Sequence, residues 1–156
     1  MPDDKQPPAL DPARVAPKTG SSYPEAFKAV CIGREKRVLG DPLGLTDFGV
    51  NLTTLAPGSG SAQRHWHSAE DEFVYVVSGS LTLVTDSGEQ ELGPGMAAGF
   101  PAGVPDGHCL INRSDAPATY LEVGSRRPEI DEVGYPDVDL RAAPGRVFTD
   151  KAGEPY

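Results

Sequence analysis

The sequence predicts an all-β domain, and three observations carry that expectation. Glycine and proline are frequent, at 18 and 16 of 156 residues, which favours many short elements joined by turns. Apolar residues alternate with a period of two in short runs, as on strands with one buried face. No segment keeps the 3.6-residue apolar period of a long amphipathic helix, and no internal repeat is present. A hydrophobic content of 38 % in a chain of this length is enough for one buried core.

Residues 1–22 hold five prolines and little apolar content, and read as a flexible, Pro-rich N-terminal arm. Residues 25–39 are expected as a strand pair, with AFKAVCIG apolar enough to be buried. In LTDFGVNLTTL, residues 45–55, strict alternation puts Phe48, Val50 and Leu52 on one face. PGSGS at 57–61 is a turn, and residues 63–67 are a short strand candidate. EFVYVV at 72–77, rich in β-branched and aromatic residues, is the strongest strand signal. Glu72, Val74 and Val76 share one of its faces, and Phe73, Tyr75 and Val77 share the other. Both faces are largely apolar, so both call for cover. The barrel interior covers one, and a second sheet or a second subunit the other, which makes a homodimer the expected assembly.

Ser78-Gly79-Ser80 turns the chain into LTLVT (81–85), and Asp86-Ser87-Gly88 turns it again into EQEL. Gly93-Pro94-Gly95 precedes MAAGF, PAGVPDG at 101–107 is a loop, and strands at 108–112 and 118–123 flank the NRSDAP turn. Strands so spaced describe an antiparallel sandwich or barrel. It is expected to occupy residues 23–124, leaving the Pro-rich, charged residues 125–156 as an irregular C-terminal extension.

The formal charge of −9 and pI near 4.7 argue against partners such as nucleic acid or an anionic membrane surface. No run approaches the roughly 20 apolar residues of a membrane span. MPDDKQPPALDPARVAPKTG has no apolar leader segment, so the cytoplasm is the expected compartment. Cys31 and Cys109 are then expected as thiols.

Chemistry concentrates in HWHSAEDEFVYVVSG, residues 65–79. His65 and His67 are i and i+2 on a strand and point the same way. Two imidazoles bind a cation weakly, so a third or fourth ligand must come from elsewhere. Glu72 is in register with Val74 and Val76 and points inward, whereas Glu70 and Asp71 fall in the connecting turn and face solvent. His108, the remaining histidine of three, starts a later strand and could close the set. Taken alone, such a pair is more often two surface or packing histidines than a metal site, and an acidic triplet is usually a solvated turn.

Two stretches resemble the paired motifs of the cupin superfamily. PGSGSAQRHWHSAEDEFVYVVSG is similar to the first motif: HxH, four residues, Glu72, then six residues to Gly79. GMAAGFPAGVPDGHCLIN, residues 95–112, is similar to the second, through Gly95, Pro101, Gly103, His108 and Asn112. Two departures stand out. Four residues separate Gly103 from His108 where the pattern has two, and Gly58 and Gly60 each miss the upstream glycine position by one. The resemblance spans about residues 45–124 and extends to small single-domain bacterial cupins, which often carry a second His where this chain has Cys109.

That resemblance implies a double-stranded β-helix, a jelly-roll-like barrel with its site inside. It makes His65, His67, Glu72 and His108 the ligands of a divalent transition metal, and nitrogen and oxygen donors of this mix suit Fe, Mn, Ni, Co, Cu or Zn. Four protein ligands leave positions open for a small-molecule substrate. The implied activity is a metal-dependent enzyme of dioxygenase, isomerase or lyase type, with a non-catalytic metal- or ligand-binding module as the alternative. Gln63, on the face of the two histidines, Asp106 in the lengthened loop, and Tyr120 are the candidate catalytic residues; for Asp106 a turn cap competes. Arg64 reads as a surface ion pair, Trp66 as packing, Asn112 as backbone support and Cys109 as a small buried hydrophobe.

Overall fold

The structure is a computed structural model that describes residues 8–156. Its strands are β1 (Lys18–Thr19), β2 (Arg34–Val38), β3 (Phe48–Leu55), β4 (Trp66–His67), β5 (Glu72–Ser78), β6 (Leu81–Thr85), β7 (Gly88–Leu92), β8 (Ala97–Phe100), β9 (Cys109–Ile111), β10 (Ala118–Ser125), β11 (Val133–Gly134), β12 (Arg141–Ala143) and β13 (Val147–Thr149). All their pairings are antiparallel. One sheet has the order β1-β2-β3-β10-β5-β8; the others are β13-β12-β11-β4 and β7-β6-β9. A bridge between His65 and His108 joins the two smaller sheets. The result is the all-β jelly-roll barrel.

Side-chain alternation explains what fills it. Along β5, Val74 and Val76 are buried, while Phe73, Tyr75 and Val77 are 43 %, 42 % and 50 % exposed. The inner face packs with Leu55, Leu81, Leu83, Leu92, Leu110, Ala118 and Tyr120 into one core. Gly79 makes the β5–β6 turn possible. Its φ is +78°, and a Cβ there would lie 2.7 Å from the Ala118 Cα.

On β3 the apolar alternation marks the outer face. Phe48, Val50 and Leu52 do share a face, but it is Thr53 and Leu55, in the opposite parity, that are buried. Gly49 and Asn51 follow that inner parity and line the cavity, so this part of the interior is polar.

The segments flanking the barrel depart furthest from expectation. Residues 25–39 are not a strand pair: Glu25–Cys31 is a 3-10 helix and only β2 is a strand. Phe27, Val30 and Cys31 recur at the spacing of a helical face, and that face packs into a second core with Tyr23, Val133, Tyr135, Leu140 and Ala142. Residues 125–156 are not irregular throughout. They supply β11, β12 and β13, and β11 pairs with β4, Val133 opposite His67 and Gly134 opposite Trp66. Gly134 is required there because the Trp66 indole would sit 2.4 Å from any Cβ. From the N-terminal arm, Lys18–Thr19 extends the large sheet beside β2, and residues 1–7 lie outside the described residues. No helix among the described residues is long and apolar enough to cross a membrane.

Candidate functional site

His65, His67, Glu72 and His108 meet inside the barrel. The backbone amide and carbonyl of His65 and His108 bond each other at 3.1 and 2.8 Å, which sets their rings side by side. β4 carries His67, and β5 brings Glu72 in from the opposite sheet. One carboxylate oxygen, Glu72 Oε2, lies 2.6 Å from His108 Nε2 and 3.4 Å from the Nε2 of both His65 and His67. His65, His67 and Glu72 each offer a ligand atom within 4.8 Å of the others.

What each ring does at its other nitrogen decides what it offers here. His65 Nδ1 is 2.8 Å from the Gln63 carbonyl oxygen, which only accepts, so Nδ1 donates. His67 Nδ1 donates to Asp131 Oδ2 at 2.7 Å. The neutral form of each ring therefore turns a lone pair at Nε2 toward the Glu72 carboxylate. Acceptors facing acceptors need a positive charge between them, a proton or a metal ion, so the donor set fits a cation. His108 Nδ1 is buried without a partner, and its ring is held by stacking on Phe100, centroids 3.5 Å apart and 3° from parallel.

Charge follows this geometry. Burial disfavours the Glu72 carboxylate, but His65, His108 and His67 outweigh it and hold its pKa well below the usual range. Burial also opposes a charge on His67, yet Glu72 and Asp131 together raise it to about 9. For His108 burial prevails over the pull of Glu72, and its pKa is lowered.

Behind His67 lies a cluster that motif spacing does not reveal. Asp131 is fully buried; it accepts from Ala69 N at 2.9 Å and from Arg146 Nη1 at 2.6 Å. Glu70, expected to face solvent, is 6 % exposed, accepts from Arg127 N at 2.7 Å, and pairs with Arg146. Burial raises an acid's pKa, but His67, the Ala69 amide and Arg146 pull that of Asp131 below its ordinary value. His67, Glu70 and Asp131 also have the spacing of a metal triad, but the Arg146 guanidinium is already paired with both carboxylates. Arg146 is the one non-glycine residue with positive φ among the described residues, at 61°. That conformation costs about 1 kcal/mol. The hidden signal for these residues is tertiary: Asp131 and Glu70 sit 62 and 57 residues from the backbone amides they accept.

The four-residue cluster opens on a cavity of about 390 Å³, lined also by Arg34, Lys36, Asn51, Tyr120, Glu122 and Tyr135. Tyr120, a candidate from sequence, is in this wall, 1 % exposed and with its hydroxyl unpartnered. Burial pushes that hydroxyl far above its ordinary pKa, so it stays a donor. Gln63 is not brought to the cavity. Its amide donates to the Phe27 carbonyl at 3.1 Å, and it reaches the site only through the backbone oxygen that orients His65. Asp106 accepts from Asp86 N at 2.7 Å, the turn-cap geometry, and borders a smaller cavity of about 80 Å³ that also touches His67, Glu72 and His108.

The lengthened loop is tied down at both ends. Ala102 N donates to Asp71 and Gly103 N to the His67 carbonyl, both at 2.8 Å, and Arg64 donates to the Gly107 carbonyl at 3.1 Å. Arg64 pairs with Asp137 and Asp86, as its surface reading requires. Asn112 is fully buried and donates to the Leu55 and Ala116 carbonyls at 2.8 Å. Cys31 and Cys109 are buried free thiols, and burial pushes Cys109 up to about 11.

A jelly-roll barrel enclosing three imidazoles and a carboxylate defines a cupin-type interior, and comparison agrees. The family model for the cupin domain matches residues 51–124. The crystal structure of a sugar phosphate isomerase from a cupin superfamily of Silicibacter pomeroyi is similar along nearly the whole chain. Identity is 45 %, coverage 95 % of this chain and 96 % of that one, and the TM-score 0.89. A putative sugar phosphate isomerase from Acidithiobacillus ferrooxidans is 32 % identical over 75 % of this chain and 70 % of its own, with a TM-score of 0.66. The polyketide cyclase RemF from Streptomyces resistomycificus shares the fold at 23 % identity, covering 83 % of this chain and 85 % of that one with a TM-score of 0.63. Among curated proteins no sequence matches. The chain belongs to the cupin superfamily.

Proposed function

We propose that this chain is a metal-dependent isomerase of a small, oxygen-rich and phosphorylated sugar, with His65, His67, Glu72 and His108 holding one divalent transition metal. The observation that carries this reading is the convergence of two tautomer-fixed imidazole lone pairs on the Glu72 carboxylate. The names of the Silicibacter pomeroyi and Acidithiobacillus ferrooxidans relatives support the substrate class. When bound, such an ion polarises hydroxyl and carbonyl oxygens and eases loss of a proton from the adjoining carbon.

The chain's own residues supply the rest. Glu122 lines the cavity, held by Lys36 at 2.6 Å and Asn51 at 3.0 Å, and is the carboxylate positioned to accept and return that proton. Tyr120 donates its free hydroxyl to a substrate oxygen. Phe100 and Tyr135 close apolar walls around the reacting carbons. Reduced Cys31 and Cys109 suit a cytoplasmic setting. A second copy of the chain covers Phe48, Phe73, Tyr75 and Val77 on the outer sheet face, which sedimentation would register as a dimer.

The test is metal analysis of the native protein combined with aldose–ketose interconversion assays on a panel of sugar phosphates, monitored for oxygen uptake. One ion per chain and interconversion without oxygen consumption are expected. Oxygen-coupled turnover would replace the isomerase with a dioxygenase, and turnover undiminished by complete metal removal would refute the metal-dependent reading.

A further inference from the structure

Four cationic side chains line the large cavity, and three of them have acidic partners. Lys36 pairs with Glu122 at 2.6 Å, Arg126 with Asp41, and Arg146 with Glu70 and Asp131. Arg34 differs. Its Nε and Nη2 donate to the Gly20 carbonyl at 2.9 and 2.6 Å, and its Nη1 donates to the Ser61 carbonyl at 2.6 Å. Carbonyls orient a guanidinium without neutralising it. Among the described residues no carboxylate forms an ion pair with Arg34, although the chain carries 23 acidic residues against 14 basic ones. A half-buried cation left unpaired in so acidic a chain is costly unless something else brings the negative charge.

The surroundings suit an anion. Three of the five guanidinium N–H groups are spent on backbone, which leaves one on each terminal nitrogen. Because the backbone bonds fix its plane, little rotamer freedom is lost when those two donors are used. Lys36 lies two residues along β2, on the same inward face, and its ammonium keeps donors beyond the one given to Glu122. In cross-strand register Lys36 stands beside Thr53, and Thr53 beside Tyr120, whose buried hydroxyl has no partner. Ser21, next to the Gly20 carbonyl, also holds a buried hydroxyl without a partner. Tyr120 lines the same cavity as Arg34 and Glu72.

We propose that Arg34 and Lys36 form the subsite for the phosphate monoester of the substrate, whose hydroxyl-bearing carbons extend toward His65, His67, Glu72 and His108. This assignment rests on the isomerase reading for the identity of the ligand, but the anion site itself does not require a metal. Two fixed guanidinium donors and an ammonium match the three oxygens of a phosphate dianion better than the two of a carboxylate.

The experiment is calorimetric titration of metal-free protein with inorganic phosphate at low salt, in the wild type, Arg34→Met, Arg34→Lys and Lys36→Met. Parallel titrations use acetate, and metal uptake is measured on each protein. Saturable phosphate binding is expected in the wild type, with Lys36→Met and Arg34→Lys each roughly 10-fold weaker and Arg34→Met without binding. Metal stoichiometry should be equal in all four. Lys36→Met disturbs no backbone bond, so it carries the test if Arg34→Met does not fold. Phosphate affinity unchanged in Lys36→Met and Arg34→Lys, or no phosphate binding by the wild type, overturns the subsite. Acetate binding as tight as phosphate overturns the phosphate assignment. Phosphate binding lost on schedule in a protein that takes up no metal would sink the isomerase reading and leave the subsite standing.

Discussion

Residues 51–124 and the segments on either side of them contribute different atoms to one cavity. The barrel segment brings the four inward donors of the cluster, at the paired positions of β4, β5 and the His65–His108 bridge. The flanks bring the groups that aim and charge the surroundings: Asp131 and Arg146 behind His67, Arg34 and Lys36 on β2, and most of the second core. The three imidazoles show the contrast most sharply. At the nitrogen turned away from Glu72, His65 is aimed by a carbonyl two residues away and His67 by a carboxylate 64 residues away, whereas His108 has no partner there and its ring stacks on Phe100. Equal-looking members of one cluster therefore depend on the flanks to different degrees.

Removing a donor from the barrel should have the largest effect. Glu72→Gln deletes the charge on which all three Nε2 atoms converge. Metal affinity, measured by competition with a chromophoric chelator, should fall by more than the roughly 10–100-fold that follows loss of an outer partner. A smaller fall would place the ion elsewhere. Removing a flank partner should come next. Asp131→Asn keeps the volume but takes away the carboxylate that fixes the His67 tautomer, and should weaken metal binding by about 10- to 100-fold. Native stoichiometry and affinity in that variant would mean that the barrel aims His67 unaided.

Acidity separates the two regions in a third way. Glu72 from the barrel and Asp131 from the flank together raise His67 from its ordinary value near 6.5 to about 9. The folded metal-free chain therefore holds this proton more tightly than the unfolded chain does. Its stabilising contribution is full below about pH 6.5 and is lost as pH rises through about 9. Metal uptake has the opposite sign, because the ion must displace that proton. Affinity should climb by about tenfold per pH unit between pH 7 and 8 while one proton is displaced. In Asp131→Asn the climb should finish at lower pH. A flat profile in the wild type would show that His67 is not a ligand.

Much of the barrel is legible from residue alternation, and the flanks are not. In EFVYVV the alternation identifies the buried Val74 and Val76 and the exposed Phe73, Tyr75 and Val77 because a strand has two faces and only one is inside. The spacing of His65, His67 and Glu72 is legible for the same reason. On β3 the rule misleads about which side is inner, since the cavity wall prefers Asn51 and Thr53 to apolar residues. Glu70 reads as a solvated turn residue because its partners, Arg127 N and Arg146, lie 57 and 76 residues further along. β11–β13 are two or three residues each, too short for any periodicity to register, and they form because β4 offers an edge to pair with.

The smallest effect should come from Asp106, in the lengthened loop of the barrel segment. Asp106 borders the small cavity beside His67, Glu72 and His108, yet its Oδ1 is engaged by the Asp86 amide at 2.7 Å in an exposed turn. A carboxylate acting as a loop tether and one acting on substrate predict different outcomes for Asp106→Asn. The amide oxygen of Asn still accepts from Asp86 N, so a tether loses about 1 kcal/mol at most, with metal affinity, kcat and KM unchanged. A proton-transfer group would leave stability alone and lose its dependence on pH along with 10²–10⁴ of kcat. The hydrogen bond favours the tether, because an oxygen already accepting from backbone in a turn is poorly free to exchange a proton with a ligand. Thermal unfolding and the pH profile of turnover, measured on the same variant, separate the two. A collapse of kcat at unchanged melting temperature would move Asp106 from the loop into the site.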